Sequence, residues 1–353
     1  MKKNQQPKRI LVAPLNWGLG HAARCIPIIN ALIRYNFDPI IASDGGALEL
    51  LKKEFPQLPA VTLPSYNISY PKNAKAFRLK LVKDAPHLLK TIQREKKVIN
   101  SLIKTEHISG LISDNRFGVR HTEIPSVFIT HQLRVLSGST TWVSTKLHQT
   151  IISKFDQCWV PDHIGSKNLS GVLGHAKGID TTTKYLGPLS RFTKLILPFK
   201  QKLLVLLSGP EPQRALLAEQ LLTELKTYSE NVLFIKGKIE AQQTIEHINN
   251  ITIYNFMTST ELEKAINESE IILSRSGYTT IMDLAMLEKK AFFIPTPGQF
   301  EQEYLAEKLK KEQIAPYCKQ DDFKSEMLLD IAAYKGFNSL GSQLNYTELF
   351  SLF

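Results

Sequence analysis

Four loops in this sequence set hydroxyl, imidazole, carboxylate or guanidinium groups between an apolar run and a helical pattern. The richest is "IILSRSGYTTIMDLAM", where Ser274, Arg275, Ser276 and Gly277 close a strand-like run and a helix starts near Tyr278. A helix N-terminus carries partial positive charge and unpaired N–H groups, so such a turn is suited to phosphate. Gly277 permits close approach, Thr279 and Thr280 offer hydroxyls, and Asp283, one turn on, can accept hydrogen bonds from ribose hydroxyls. After the next apolar run, "PTPGQFEQEY" adds Gln299, Glu301 and Gln302 to the same edge. A hydroxyl-rich cap accounts for Ser276 or Thr279 taken singly, but not for the whole combination.

The other three loops offer the groups that would complete a reaction. In "APLNWGLGHAARCIPIINAL", Gly18 and Gly20 shape a turn and His21 falls in the first turn of a helix. A neutral imidazole is favoured there, which suits a general base, while a plain helix-start histidine is the ordinary alternative. The third position of a dinucleotide fingerprint holds Ala23, and Asp44 sits in the turn "SDGG", so a dinucleotide site is not supported. In "LISDNRFGVRHTEIPSVFITHQLR", Asp114, Asn115 and Arg116 follow one strand and His131 and Gln132 another, which puts both groups at one sheet edge. Asp114 or His131 could orient or activate an acceptor, or merely cap nearby backbone. In "LLVLLSGPEPQRALLAEQ", Ser208 and Gly209 end a strand and Arg214 enters a helix. A cation at a helix start is unfavourable unless an anion lies between them, so Arg214 is a candidate diphosphate contact. Arg275 is another.

These loops need elements to hold them. Apolar runs such as "RILVAP", "PIIAS", "GLISD", "PSVFIT" and "QCWVP" alternate with helical patterns in the first half. The runs "KLLVLLS", "NVLFIKG", "ITIYNF", "IILSRS" and "AFFIPTP" do so in the second. That pattern predicts an α/β fold with two Rossmann-like domains, their parallel sheets facing each other across a cleft. Prolines, a glycine and basic residues between Gly187 and Lys200 mark the hinge. The expected units are residues 1–190, residues 191–335, and a helical segment, 336–353, that returns to the first domain.

With 353 residues and 43% hydrophobic content the chain is long enough for two cores. No apolar stretch reaches the ~20 residues that span a bilayer, and the N-terminal apolar run is short for a signal peptide, so a cytoplasmic protein is expected. Cys25, Cys158 and Cys318 lie far apart without metal-ligand spacing and read as buried thiols. The net charge of +11 favours anionic partners. Between Lys72 and Lys104 there are ten Lys or Arg but only two acids, Asp84 and Glu95, with apolar residues interleaved. This is either a solvated helix face or a surface that rests peripherally on an anionic membrane. No nucleic-acid-binding motif accompanies the charge.

Together these residues resemble the glycosyltransferases of the GT-B fold, family 28 in particular. "SRSGYTTIMDLAMLEKKAFFIPTPGQFEQEYLAEKL" is similar to that family's C-terminal nucleotide-sugar motif, and "NWGLGHAARCIPIINAL" to its N-terminal Gly-rich loop. The resemblance implies that Thr280 meets the diphosphate, Asp283 the ribose and Gln302 the donor sugar, with Phe256 and Met257 flanking the uracil. Ser208 and Arg214 match the donor loop, and His21 falls at the loop histidine. The acceptor half departs from the family's peptidoglycan branch: "THQLR" places His131 and Leu133 where an acidic and an amide residue are usual, and Glu303 replaces a glutamine. The implied reaction moves a sugar from a UDP-sugar, as co-substrate, to an acceptor hydroxyl by inverting displacement. No DxD motif is present and neither metal nor cofactor is implied. The acceptor stays open, a lipid-linked one among the candidates. The alternatives are a UDP-sugar hydrolase or epimerase, or a non-catalytic nucleotide-sugar-binding subunit.

Overall fold

The computed structural model describes residues 6–67, 76–176, 181–338 and 344–353, with the backbone alone over residues 76–85. The first domain runs β1 (Arg9–Pro14), α1 (Gly20–Arg34), β2 (Asp38–Ser43), α2 (Gly45–Glu54), β3 (Ala60–Thr62), α3 (Ala76–Thr105), β4 (Ile108–Asp114), β5 (Ser126–Ile129), α4 (Thr141–Ile152), β6 (Gln157–Val160) and β7 (Thr182–Tyr185). The second runs β8 (Gln201–Leu206), α5 (Gln213–Glu224), β9 (Val232–Ile235), β10 (Ile245–Ile248), β11 (Ile251–Tyr254), α6 (Ser259–Asn267), β12 (Ser269–Ser274), α7 (Tyr278–Met286), β13 (Lys290–Phe293) and α8 (Phe300–Lys311). A last helix, α9 (Tyr346–Phe350), follows.

The strands form two sheets, in the orders β3-β2-β1-β4-β5-β6-β7 and β10-β11-β9-β8-β12-β13. Every described pairing is parallel except β10 with β11. In both sheets the chain order reverses beside the first strand, between β1 and β4 and between β8 and β12, which opens the crevice where ligands of such sheets sit. All ten strands expected from apolar runs are present. The three not expected, β3, β7 and β10, are edge strands whose residues are exposed or half-buried, so they carry no apolar signature.

Helix α7 explains why the segment from Ser274 to Met286 is apolar and polar at once. Tyr278, Ile281, Met282, Leu284 and Ala285 are all buried, because α7 packs on its own sheet and also against the first domain. Tyr278 Oη donates to Pro161 O at 2.9 Å and Thr279 Oγ1 to Gly20 O at 3.1 Å. The glycine loops of the two domains also touch. A Cβ on Gly18, whose φ is +75°, would lie 3.2 Å from the Gly209 Cα, so neither side chain nor ordinary backbone fits there. Helix α9 lies on the first domain, with Phe350 edge-on to Phe37 at 5.6 Å and to Tyr35 at 5.9 Å. Aromatic pairs of this kind contribute ~0.5–1.5 kcal/mol each beyond burial.

Of the basic segment between Lys72 and Lys104, residues 72–75 lie outside the described ones. Farther along α3, Lys90, Arg94, Lys97 and Lys104 are exposed, while Glu95 points inward to Arg116 Nε at 2.6 Å. The outward face is therefore more basic than the composition implies. Among the described residues no helix is long and apolar enough to cross a membrane.

Candidate active site

Register brings the first-domain groups together. Pro14 of β1 pairs with Asp114 of β4, and Asp114 with Ile129 of β5, so the chain leaves three adjacent strands at one edge. His21 Nδ1 stands 2.7 Å from Asp114 Oδ1. The guanidinium of Arg24, one helical turn beyond His21, grips both oxygens of Asp114 and lies 3.0 Å from His131 Nδ1. Burial would push the Asp114 carboxyl up, but Arg24 and His21 overcome it and hold it well below the usual carboxylate range. Asp114 is thus ionised and can only accept; with Arg24 Nη2 spent on Asp114, the His21 Nδ1–H donates to the same carboxylate and Nε2 is the ring's basic atom. No described residue hydrogen-bonds that Nε2.

His131 is differently placed. Its Nε2 stands 2.8 Å from Glu301 Oε1, and its ring stacks on Tyr278 with centroids 4.1 Å apart and planes 9° apart. Burial pushes its imidazole below the ordinary value, against the pull of Glu301, and both nitrogens are engaged. As a proton acceptor His131 is therefore blocked, which corrects the expectation that it could activate the acceptor. Arg116, from the same loop as Asp114, is buried and joins Glu95 to Asp44, whose other oxygen holds Asn16 at 3.1 Å.

On the donor side, the space in front of Gly277 is open: a Cβ there would meet nothing within 4 Å. Thr280 is half-buried and its hydroxyl has no hydrogen bond among the described residues. Asp283 is buried beside the hinge and accepts from Ser190 Oγ at 2.6 Å; burial pushes its carboxyl up to about 6, against Arg191 and Ser190. Phe256 is buried, with Lys53 Nζ of the first domain 5.1 Å from its ring centroid, and Met257 is half-buried against the main hydrophobic core. Gln299 starts α8 with its Oε1 buried and unpartnered.

Several expected contacts are spent within the protein. Arg275 does not reach the cleft: its guanidinium is buried, donates to the carbonyls of Ile294, Pro295 and Gln213 and to Gln320 Oε1, and is pushed down to about 9 by burial. Its partners lie in α5, just after β13 and at Gln320, all within the second domain. The Thr279 hydroxyl is taken by Gly20, and the Ser276 hydroxyl donates to Gln302 O at 2.8 Å. Gln302 Oε1 accepts from Thr296 N at 2.8 Å, and Glu303 caps Gly298 N at 3.0 Å. Arg214 is not an isolated cation, because Glu211 pairs with it at 2.6 Å; it lines a cavity of about 260 Å³ with Asn16, Gly18 and Gly209, close to the end of β8 where Ser208 sits.

The residue that sequence reasoning missed is Arg191. It lies in the hinge, reads as one more linker cation, and is almost wholly buried, yet its Nε and Nη1 have no hydrogen-bond partner. Glu54 Oε1 is 3.8 Å away and is already committed to Ser259 N at 2.8 Å. Burial lowers the guanidinium below its ordinary value while Asp283 and Glu54 raise it. A buried cation with idle donors costs free energy unless an anion meets it. Arg24 was missed as well; the only signal was its i+3 spacing from His21.

Residues 211–333 match the family described as "Glycosyltransferase family 28 C-terminal domain". Two curated proteins called UDP-N-acetylglucosamine--N-acetylmuramyl-(pentapeptide) pyrophosphoryl-undecaprenol N-acetylglucosamine transferase are similar to parts of the chain. The one from Sulfurihydrogenibium sp. (strain YO3AOP1) is 22% identical over 158 residues, 43% of this chain and 44% of its own. The one from Buchnera aphidicola subsp. Schizaphis graminum (strain Sg) is 29% identical over 99 residues, 27% and 28%. The matched stretch thus spans less than half the length of either relative. Among solved structures, the spinosyn forosaminyltransferase SpnP superposes with a TM-score of 0.59 at 13% identity, over 92% of this chain and 90% of that one. The glycosyltransferase SnogD from Streptomyces nogalater gives 0.60 at 12%, over 94% and 92%, and MurG from Acinetobacter baumannii 0.52 at 14%, over 93% and 91%. At such identities likeness speaks for fold. Residues 211–333 are thus a glycosyltransferase family 28 C-terminal domain, set in a chain that has the two-domain GT-B fold of glycosyltransferases.

Proposed function

We propose that this protein is an inverting glycosyltransferase that moves a sugar from a UDP-sugar to an acceptor hydroxyl without a metal ion. The observation that carries this reading is the His21–Asp114 pair, held at 2.7 Å in the cleft that also receives the open N-terminus of α7. The His21 Nε2 takes the proton of the acceptor hydroxyl as its oxygen attacks the anomeric carbon. The bond from that carbon to the diphosphate breaks, and UDP leaves on the opposite face with the bonding pair. The negative charge that develops is met by the N–H groups at Gly277 and by the idle donors of Arg191. In this reading Asp283 and Ser190 meet the ribose hydroxyls and Phe256 stacks on the pyrimidine.

The curated relatives' names make UDP-N-acetylglucosamine the first donor to try. An acceptor at a membrane surface fits the basic face of α3 and a peripheral place on the inner leaflet. A screen of nucleotide sugars for thermal stabilisation identifies the donor, since a ligand bound only to the folded state raises the melting temperature. Product analysis then separates the readings. Transfer that needs an added acceptor and survives EDTA supports the proposal. Steady release of free sugar or an epimer without acceptor favours hydrolysis or epimerisation, and no binding at millimolar concentration favours a non-catalytic subunit.

A further inference from the structure

One hydrogen-bonded chain crosses the cleft from the second domain to the first. Glu301, in the first turn of α8, meets His131 Nε2 at 2.8 Å with one oxygen and the Gln132 amide with the other. His131 Nδ1 meets Arg24 at 3.0 Å, Arg24 holds both oxygens of Asp114, and Asp114 holds His21 at 2.7 Å. Arginine only donates and carboxylates only accept, so one proton pattern satisfies the links from Glu301 through His131 and Arg24 to Asp114; Arg24 Nη2 then spends a hydrogen on Asp114, and its contact with His21 Nδ1 is not a hydrogen bond in that pattern. His131 Nδ1 accepts from Arg24 and its Nε2–H donates to Glu301; His21 Nδ1–H donates to Asp114, leaving His21 Nε2 bare.

The charges add a second argument. Arg24 is also 2.8 Å from His21 Nδ1, and its positive charge cancels that of Asp114. The His21–Asp114 pair by itself therefore has no spare negative charge to balance an imidazolium. Glu301 supplies it: with both histidines neutral, the cluster of Arg24, Asp114 and Glu301 carries a net charge of minus one, and becomes neutral when His21 takes a proton. In a site largely shielded from water this balance weighs heavily.

We infer that Glu301 is a positioning residue that, through His131 and Arg24, holds His21 in its base-competent tautomer and balances the proton His21 receives, so that the base is complete only when the two domains meet. This rests on the transferase reading. It also places the counter-charge on the helix that starts at Gln299, beside the expected donor-sugar contacts, so closure around the donor and readiness of the base are one event.

Two measurements test it. In the first, Glu301→Gln keeps the side chain's size and removes its charge. Turnover is expected to fall about 10- to 100-fold with the donor KM within about twofold, and the loss to vanish when His21→Ala is already present, since groups acting as a unit are non-additive. Full turnover in Glu301→Gln, or losses that multiply in the double variant, would overturn the proposal. In the second, nitrogen-15 NMR of the imidazoles needs no substrate and so stands even where no transfer is found. The folded protein should show His131 as the Nε2–H and His21 as the Nδ1–H tautomer, with the signals of both changed in Glu301→Gln. A His21 signal identical in both proteins sinks the coupling, whatever the protein's activity proves to be.

Discussion

Asp283 accepts a hydrogen bond from Ser190 Oγ at 2.6 Å, tying α7 to the segment that joins β7 to β8. The carboxyl is buried and pushed up from 3.8 to about 6. A carboxyl raised in the folded state stabilises the protein fully only below its unfolded value. That contribution is lost as pH rises through about 6. At neutral pH the charge therefore opposes folding, by about 3 kcal/mol at most. Asp283→Asn should raise the melting temperature at pH 7.5, and the gain should shrink toward pH 4. The same variant should weaken UDP by ~1.5–3 kcal/mol through the lost charged contact to ribose. Calorimetric melts across pH, with UDP titrations, check both; a variant less stable at pH 7.5 contradicts the assignment.

His21→Ala should lower turnover ~10²–10⁴-fold with UDP binding nearly intact, as expected of a general base that acts on the acceptor and does not hold the nucleotide. Asp114→Asn should approach the same loss, since an amide no longer fixes the Nδ1–H tautomer. Steady-state kinetics beside UDP titration decides. A His21→Ala enzyme at full rate assigns proton removal to another group.

Arg191→Met removes a buried cation whose Nε and Nη1 have no partner, but also the charge that offsets buried Asp283, so the free protein should lose stability above about pH 6 and change little below it. UDP affinity should also fall by about tenfold or more, the worth of a charged hydrogen bond. Loss of stability with unchanged affinity would mark Arg191 as a scaffold residue.

Membrane attachment should be peripheral and salt-sensitive. Exposed cations on α3 lie near Leu89, and α4 presents Trp142, Val143 and Leu147 outward beside Lys146, with no acid between Arg134 and Lys154. Each engaged cation contributes roughly 1 kcal/mol at an anionic surface, an attraction that fades as salt shortens the Debye length. Sedimentation with phosphatidylglycerol vesicles should pellet the protein at low salt and release it at high salt. Trp142→Ser with Leu147→Ser should weaken the low-salt binding. Protein that stays in the supernatant at low salt makes both faces simple solvated surface.

Ten strands, the parallel α/β class and the loops that carry chemistry were legible in the chain because each is a local property. A buried parallel strand must be apolar along its length, a helix must start after a turn residue, and both leave their loops at one sheet edge. His21, Asp114, Gly277 and Asp283 could be singled out on those grounds alone. Which charges are spent and which stay idle is not local. Arg24 and Asp114 are 90 residues apart, and His131 and Glu301 are 170 apart. Arg275 and Arg191 look alike in the sequence, each a cation beside a serine. Only the tertiary fold turns Arg275 onto carbonyls of its own domain and sets Arg191 between Glu54 of the first domain and Asp283 of the second with two donors unpartnered, because burial and partnership depend on what the fold brings within about 3 Å of a side chain, and not on the residues that flank it in the chain.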